Sequence, residues 1–425
     1  MLGHLLTRLS GWGLNGINPA ETGVCTLTVE AFMSVAAVEI DTSTPLGHIT
    51  QSTDTCLWND SANPAELKES ITFGAVGATC NPVIAVTCVK QDLSRWQTRI
   101  AEIAEEHPSM SAADIGWKVV EELSVDAAQL LLPAFEKYGG VNGRLSMQTD
   151  PRLHRDADAL VAQAEHFASL APNIIVKMPA TSVGIKAIEE ATYRGVCVNV
   201  TVSFTVAQAV QTGEAIERGL KRREAEGLPV EDMGPVVTIM VGRLDDWLKE
   251  VYERDGLVFD PGYLEWAGVA SVKKAYKIFQ ERGLRARLLA AGYRNTLQIS
   301  EFAGGSVVVS PPFKWQKRFQ EGGYTPANNQ MDVPVRPEII EALETMPEFL
   351  KGWEADSMTP EEFDSYGPTR KTLRQFLAAD NELDQLVIDE AQDSPAETME
   401  ALLFTQDGVA NTQVLYTGTV PTETQ

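Results

Sequence analysis

The chain has 425 residues, of which 44% are hydrophobic and 22% are charged, and its formal net charge at pH 7 is -24. Such acidity argues against a binding surface for nucleic acid or anionic lipid, because like charges repel. No apolar run is long enough to span a bilayer, so the composition is typical of soluble globular enzymes with a large core. We therefore expect neither a nucleic-acid partner nor a membrane partner.

Targeting and cysteine patterns favour a reducing, cytoplasmic location. Residues 1–44 form an N-terminal extension of unknown role, which carries Arg8 and a Gly11-Trp12-Gly13 break after its only early apolar stretch. This arrangement does not predict a signal peptide. The five cysteines are scattered without a Cys-x-x-Cys pair, and their odd number argues against a disulfide framework.

Between residues 45 and 310, short β-rich runs alternate with amphipathic helical patterns. This alternation predicts repeated βα units around a parallel sheet. The runs together span about 260 positions, close to the roughly 250 typical of a closed (β/α)₈ barrel, so the predicted fold class is an α/β TIM barrel. The eight predicted strands are Ser52–Trp58, Ala75–Thr79, Leu145–Thr149, Asn173–Lys177, Val196–Val202, Val236–Val241, Arg287–Ala291 and Ser306–Val309. Predicted helices between them include Ala159–Leu170, Thr205–Glu224, Arg243–Arg254 and Ser271–Arg282.

The gap between the second and third strands is too long for one crossover helix. Two helical patterns, Leu93–His107 and Ser111–Leu132, lie within it, so a helical insertion at about residues 90–140 is predicted on the barrel rim.

A helical extension is predicted for residues 311–392. Thr359-Pro360-Glu361-Glu362 has the pattern of a capping box at a helix start, and Arg370–Ala378 and Glu382–Glu390 are two further helical segments. Residues 393–425, which contain one apolar patch at Met399–Phe404, form a tail that is expected to be partly disordered.

Lys177 is the most informative residue of the chain. It ends the apolar run Asn173–Lys177, where a buried strand would finish. A charged lysine on a buried strand is costly unless it is paired, and desolvation lowers its pKa toward the neutral, nucleophilic amine that Schiff-base formation needs. The alternative interpretation is a strand-end lysine that reaches solvent.

Histidine spacing argues against a metal site. The five histidines show neither i,i+4 nor His-x-His spacing, so a His-ligated metal is not expected. We expect neither a metal nor another cofactor. If the protein catalyses a reaction that needs an electron acceptor, an imine on a lysine is the favoured one.

Polar side chains end or follow nearly every predicted strand. A TIM barrel builds its active site from the C-terminal ends of its strands and the loops after them. Each such residue alone has a structural alternative as a turn, a helix cap or a satisfied core group. Their co-occurrence around one lysine favours a ligand site, since burying so many unfilled polar groups is unfavourable. The residues are Asp60, Thr79, Asn81, Gln148, Asn199, Thr201, Thr238, Arg243, Arg294 and Asn295.

Motifs at these strand ends resemble those of the transaldolase family. In order and spacing they cover about residues 50 to 310, and the helical segment to about Glu390 is similar as well. The resemblance implies a class I, metal-free enzyme of carbohydrate metabolism in the pentose phosphate pathway. The motifs are Gly77–Pro82, Val176–Thr181, Val198–Phe204, Val241–Trp247 and Ala291–Asn295.

The resemblance also implies a role for each residue. Lys177 forms a Schiff base with a ketose phosphate, and Asp60 moves protons at the sugar hydroxyl. Arg243 and Arg294 hold the phosphate, which gives an acidic protein a local positive field. Thr201 holds a catalytic water. The residues that bind or orient the substrate are Thr79, Asn81, Asn199 and Thr238.

Two positions depart from the transaldolase pattern. Transaldolases carry glutamate in the third-strand motif, where this chain has Gln148. An amide can position water but cannot titrate, so a proton relay through that position must work differently. Glutamine there is similar to the fructose-6-phosphate aldolase branch. That branch has tyrosine on strand 6, however, where transaldolases have phenylalanine and this chain has Met240.

The sequence therefore predicts a transaldolase-like enzyme that transfers a dihydroxyacetone unit between sugar phosphates through Lys177. Two alternatives stay open. One is an aldolase that uses the same imine but releases the free donor, and the other is a sugar-phosphate-binding barrel without turnover. Sugar phosphates are the expected partners, and a homo-oligomer is left open.

Overall fold

A computed structural model describes residues 39–392. Three predictions concern residues outside this range: the absence of a signal peptide, most of the N-terminal extension of residues 1–44, and the partly disordered tail of residues 393–425. Within them the predicted fold class is confirmed, because eight parallel strands close into a barrel in the order β1 to β8.

The strands are short, and each pairs in parallel with the next in the chain. The last strand pairs with the first, for example Val309 with Leu57, which closes the barrel. Their bounds are β1 Cys56–Asn59, β2 Ala75–Cys80, β3 Arg144–Gln148, β4 Ile174–Pro179, β5 Val198–Thr201, β6 Val236–Met240, β7 Arg287–Ala291 and β8 Val308–Ser310.

Helices connect consecutive strands and form the outer layer. Before and between the strands lie α1 Pro45–Ser52, α2 Pro64–Thr72, α3 Pro82–Gln91, α4 Leu93–Glu106, α5 Ala112–Lys137, α6 Ala157–Leu170, α7 Ser182–Tyr193, α8 Val206–Ala225, α9 Val241–Asp255, α10 Ala267–Arg282 and α11 Leu297–Ser300. The helical insertion corresponds to α4 and α5. The buried face of α5 packs on β2 and β3, and the buried face of α4 packs against other helices, including α5.

The C-terminal extension is helical, as predicted. It consists of α12 Phe313–Glu321, α13 Pro337–Glu344, α14 Pro347–Leu350, α15 Pro360–Ser365 and α16 Gly367–Gln392. Short 3₁₀ segments lie at Pro151–Leu153, Pro261–Trp266 and Gln330–Asp332. The predicted capping box is present at α15, where Thr359 and Glu362 cap each other's backbone N–H groups.

Several predicted boundaries differ from the structure, and three of them have an identifiable physical cause. Ser52 ends α1 rather than starting β1, because Thr44 caps a helix that begins at Pro45. The helix predicted to stop at Leu132 continues through Pro133, where the packing of this long helix offsets one lost backbone hydrogen bond. Finally, Arg370–Ala378 and Glu382–Glu390 are parts of the single helix α16.

The barrel interior is a separate apolar cluster inside the ring of strands. Trp58 is completely buried there, together with residues such as Ile175 and Leu289. Gly77 allows this packing, because a Cβ at that position would overlap the Trp58 ring. This layer closes the space below the polar side chains at the strand ends, which leaves the C-terminal mouth as the place for a site.

Candidate active site

Lys177 lies on β4, buried among polar neighbours. Its side chain is buried, and the register places Gln148 of β3 on one side and Asn199 of β5 on the other. Burial lowers the pKa of the amine, and the negative charge of Asp60 opposes that shift. The structure therefore places the amine where its nucleophilic form is favoured.

Asp60 follows β1 and is held by a hydroxyl from the neighbouring strand. Thr79 donates its Oγ1–H to Asp60 Oδ1 at 2.5 Å. This bond leaves the second carboxylate oxygen of Asp60 able to take part in proton transfer. Asp60 and Thr79, which were predicted from separate motifs, thus form one unit.

Asn199 is oriented by hydroxyls on both sides. It donates from Nδ2 to Ser146 Oγ at 2.8 Å, and its Oδ1 accepts from Thr238 Oγ1 at 2.8 Å. All three residues are buried. Ser146 was not among the predicted site residues, although its period-two spacing from Gln148 puts both residues on one face of β3.

Gln148 carries an unfilled acceptor. Its Oε1 is buried and has no hydrogen-bond partner among the described residues. A buried amide oxygen without a partner is unfavourable unless water or ligand supplies a donor. The atom is therefore a candidate contact for whatever occupies the space beside Lys177.

The chain turns sharply after Thr201. Val202 has a φ of 53°, a left-handed conformation that is uncommon for a β-branched residue. The turn is fixed by a bond in which Met240 N donates to Ser203 O at 2.9 Å. Local strain of this kind costs on the order of 1–3 kcal/mol and is concentrated at functional sites. Thr201 itself is buried at the end of β5.

Asn81 has a structural task in addition to any role in binding. It caps α3, because its Oδ1 accepts from Ile84 N at 3.0 Å. Asn295, which follows Arg294, instead donates to Glu265 Oε2 at 2.6 Å. Asn295 Oδ1 also accepts from Gln298 N at 3.2 Å, so a structural alternative to substrate binding applies to both asparagines.

Arg243 lies at the start of α9 and is contacted by α16. Its Nη1 donates to Gln375 Oε1 at 2.5 Å and to Thr372 Oγ1 at 3.3 Å, and its guanidinium lies 5.6 Å from the centroid of the Phe376 ring. Burial lowers the pKa of this guanidinium to about 10, and the positive charge of Arg294 contributes. The extension therefore supplies part of the surroundings of a candidate phosphate ligand.

Arg294 lies beside Arg243 and is held by an aspartate. Its Nε donates to Asp246 Oδ2 at 2.8 Å, and its Nη1 donates to Gly292 O at 3.0 Å. Gly242 leaves room for this arrangement, because a Cβ there would overlap Gly292 O and the Arg294 side chain. The two guanidiniums form a cationic edge that suits a dianionic group.

The described residues contain no group of three His, Cys, Asp or Glu side chains that could hold a metal ion. Across residues 39–392, no helix has the length and apolar character needed to cross a membrane.

Comparison with known proteins finds a matching family model and several similar relatives. A family model described as transaldolase/fructose-6-phosphate aldolase matches residues 57–386. The transaldolase of Parafrankia sp. is 26% identical over 350 residues, covering 75% of this chain and 92% of the relative.

Two further relatives match over shorter stretches. The transaldolase of Thiobacillus denitrificans is 32% identical over 228 residues, covering 51% of this chain and 61% of the relative. Transaldolase 1 of Streptomyces avermitilis is 29% identical over 214 residues, covering 48% of this chain and 54% of the relative. In these two alignments the chain spans less than two thirds of the relative's length.

Proposed function

The chain belongs to the transaldolase/fructose-6-phosphate aldolase family, and on that basis we propose that it is a transaldolase-like enzyme which transfers a dihydroxyacetone unit between sugar phosphates. Relatives named transaldolase support this proposal. The observation that carries it is the buried amine of Lys177, set between Gln148 and Asn199 at the barrel mouth.

The reaction begins with an imine on Lys177. The neutral amine attacks the ketose carbonyl, and loss of water gives a protonated imine. This cation accepts the electron pair when the bond between the α and β carbons of the ketose breaks, which leaves an enamine on Lys177 and releases the aldehyde fragment. The retained three-carbon nucleophile then attacks the aldehyde carbon of an acceptor, and hydrolysis restores the amine.

Asp60 moves the proton in bond cleavage. The sugar hydroxyl must lose a proton as the aldehyde forms, and a carboxylate fixed by Thr79 is suited to take it. Asn199, held by two hydroxyls, orients the sugar, as do Thr79, Asn81 and Thr238. Thr201 holds the water that enters and leaves with the imine, and Gln148 orients that water without titrating.

Arg243 and Arg294 bind the phosphate of the substrate. Guanidiniums present planar donor pairs that match phosphate oxygens, and desolvation at Arg243 strengthens a charge-assisted bond. The phosphate would join, or exchange with, the present partners Gln375 and Asp246.

A second function is favoured by one observation, the amide at Gln148. Without a carboxylate beside the imine, the three-carbon unit can be released as free dihydroxyacetone, as a fructose-6-phosphate aldolase would do. The remaining alternative is a barrel that binds sugar phosphates without turnover. The set of polar residues around Lys177 argues against it, because binding alone does not need them.

The remaining assignments follow from the proposed reaction. Residues 45–310 are the catalytic domain, with the insertion at about residues 90–140. Residues 311–392 are its helical extension, and the roles of residues 1–44 and of the tail 393–425 are left open. The protein acts in the cytoplasm on sugar phosphates within the pentose phosphate pathway, needs no cofactor, and its oligomeric state is left open.

One assay separates the three candidates. Fructose 6-phosphate is supplied with and without erythrose 4-phosphate, and the three-carbon product is followed. Transfer that requires the acceptor supports a transaldolase, and free dihydroxyacetone without acceptor supports the aldolase. Binding without turnover would overturn both enzymatic proposals.

A further inference from the structure

A fully buried aspartate lies two residues after Arg243 and takes no part in the proposed chemistry. Asp245 Oδ1 accepts from Gly268 N at 2.8 Å, and its Oδ2 accepts from Gln298 Nε2 at 2.6 Å. Gln298 Oε1 in turn accepts from Arg294 N at 2.7 Å. One chain of hydrogen bonds thus connects α10, α9 and the turn that carries Arg294.

The direction of this chain is fixed by its ends. Both ends are backbone N–H groups, of Gly268 and Arg294, and neither can become an acceptor. The Gln298 amide must therefore point its oxygen at Arg294 and its NH₂ group at Asp245. Only a group that accepts on both sides completes the pattern, and an ionised carboxylate is such a group.

The carboxylate is costly where it lies. Asp245 has no lysine, arginine or histidine within ion-pair distance in the part of the chain that the structure describes. Burial raises the pKa of Asp245 to about 8, and the bond from Gly268 N opposes that shift. A buried carboxyl group is costly to desolvate, so its retention here, with both oxygens engaged by fixed donors, indicates a role other than packing.

The same helical turn controls both parts of Arg294. Asp245 acts on the backbone through Gln298, while the adjacent Asp246 holds the guanidinium. Arg243 precedes them on α9. Because the Gly242 backbone lies directly against Gly292 O and the Arg294 side chain, a small shift of the Arg294 backbone would change the position of its guanidinium relative to α9.

We propose that Asp245 and Gln298 form a positioning pair that holds the Arg294 backbone in the position from which its side chain binds the substrate phosphate. This inference rests on the proposed function of Arg294 as a phosphate ligand. Neither residue contacts the substrate, and their effect is on the geometry of the arginine.

The first test is Asp245→Asn, which keeps the shape but places an NH₂ group against a donor. The KM ratio of a phosphorylated ketose, fructose 6-phosphate, to an unphosphorylated ketose, fructose, should rise about tenfold, as expected for a mismatched buried hydrogen bond. Asp255→Asn is the matched control, since Asp255 is exposed at the end of the same helix and pairs with Arg254. It should leave the ratio unchanged.

The decisive double variant exchanges the carboxylate and the amide group between the two positions. Asp245→Asn with Gln298→Glu restores every donor and acceptor, because the new amide at position 245 would accept from Gly268 N and donate to a carboxylate at position 298. That carboxylate would accept from Arg294 N. Recovery of the KM ratio in the double variant supports the positioning role. Recovery of the melting temperature alone, with the ratio still raised, would overturn it.

Arg294→Ala distinguishes failure of this inference from failure of the proposed function. If Arg294→Ala raises the KM ratio and Asp245→Asn does not, the positioning role is wrong and the phosphate role stands. If Arg294→Ala leaves the ratio unchanged, the phosphate role itself is wrong. If both roles are correct, adding Asp245→Asn to Arg294→Ala should not raise the KM ratio beyond the value for Arg294→Ala alone.

Discussion

Gln148 and Lys177 are register partners across β3 and β4, so an amide adjoins the candidate nucleophile inside the barrel. The amide oxygen is buried without a partner among the described residues. Lys177 therefore has a polar, neutral neighbour on one side and the hydrogen-bonded Asn199 on the other. Burial of the amine lowers its pKa, and this desolvation outweighs the opposing negative charge of Asp60.

Lys177 should be the residue that forms the imine. Incubation with fructose 6-phosphate and borohydride should add one reduced adduct at Lys177, located by peptide mass mapping. Lys177→Ala should abolish both labelling and turnover while the melting temperature stays close to that of the wild type. Lys186→Ala, on the exposed surface of α7, is the control and should keep both. An adduct on another lysine would sink the assignment.

Arg243 and Arg294 should distinguish phosphorylated from unphosphorylated substrates. Replacing either by alanine should raise KM for phosphorylated substrates by an amount that corresponds to about 2 to 4 kcal/mol for a lost charge-assisted pair. Unphosphorylated sugars should be little affected. Arg282→Ala removes the same charge at a surface pair with Glu214 and should leave KM unchanged. Equal losses for both substrate types would show that the arginines serve the fold.

Gln148→Glu should place a carboxylate beside the imine. The expected result is an acidic limb in the pH profile of kcat and more transfer to an aldose acceptor relative to release of free donor. The product ratio and the melting temperature are the two measurements. Gln51→Glu, an exposed position on α1, controls for the added charge. An unchanged ratio with a lowered melting temperature would show only a buried, unpaired charge.

Asp380 should make stability depend on pH. It lies on α16 with its side chain 2% exposed and 3.0 Å from Arg152 Nε. Burial raises the pKa of Asp380 to about 7, the nearby Asp150 adds to this, and Arg152 opposes it. The folded state therefore holds the proton more tightly than the unfolded state, and stability is lost as pH rises from about 4 through 7.

The substitution Asp380→Asn removes that loss. Relative to the wild type, the free energy of unfolding of the variant should rise by about 2 to 4 kcal/mol between pH 4 and pH 8. Urea unfolding at the two pH values measures the difference. Asp389→Asn, on the exposed face of the same helix, should follow the wild-type curve. Parallel curves for wild type and Asp380→Asn would contradict the prediction.

The sequence predicted the barrel because each strand combines an apolar run with a polar end. This local pattern also located Lys177, Gln148 and Asn199, since alternation places them at the mouth. Ser146 could have been found by the same alternation, because it shares a face of β3 with Gln148.

Other parts of the site depend on contacts that no local pattern encodes. The bonds from Arg243 to Gln375 and from Asp245 to Gln298 join residues far apart in the chain. Helix α16 was divided in the prediction because polar residues near Asn381 resemble a joint, yet its buried face continues without interruption through Ala379 and Leu383. Tertiary packing decided each of these features.

The contact between α16 and Arg243 bears on the order in which the molecule is assembled during translation. All eight strands leave the ribosome before α16, so the barrel can close while Arg243 still lacks Thr372 and Gln375. Only when α16 docks on α3 and α5 does the arginine gain these neighbours. A nascent chain ending before Gly367 would thus hold the complete strand ring while the proposed phosphate site still lacked two of its side chains, and the last helix described would complete that site.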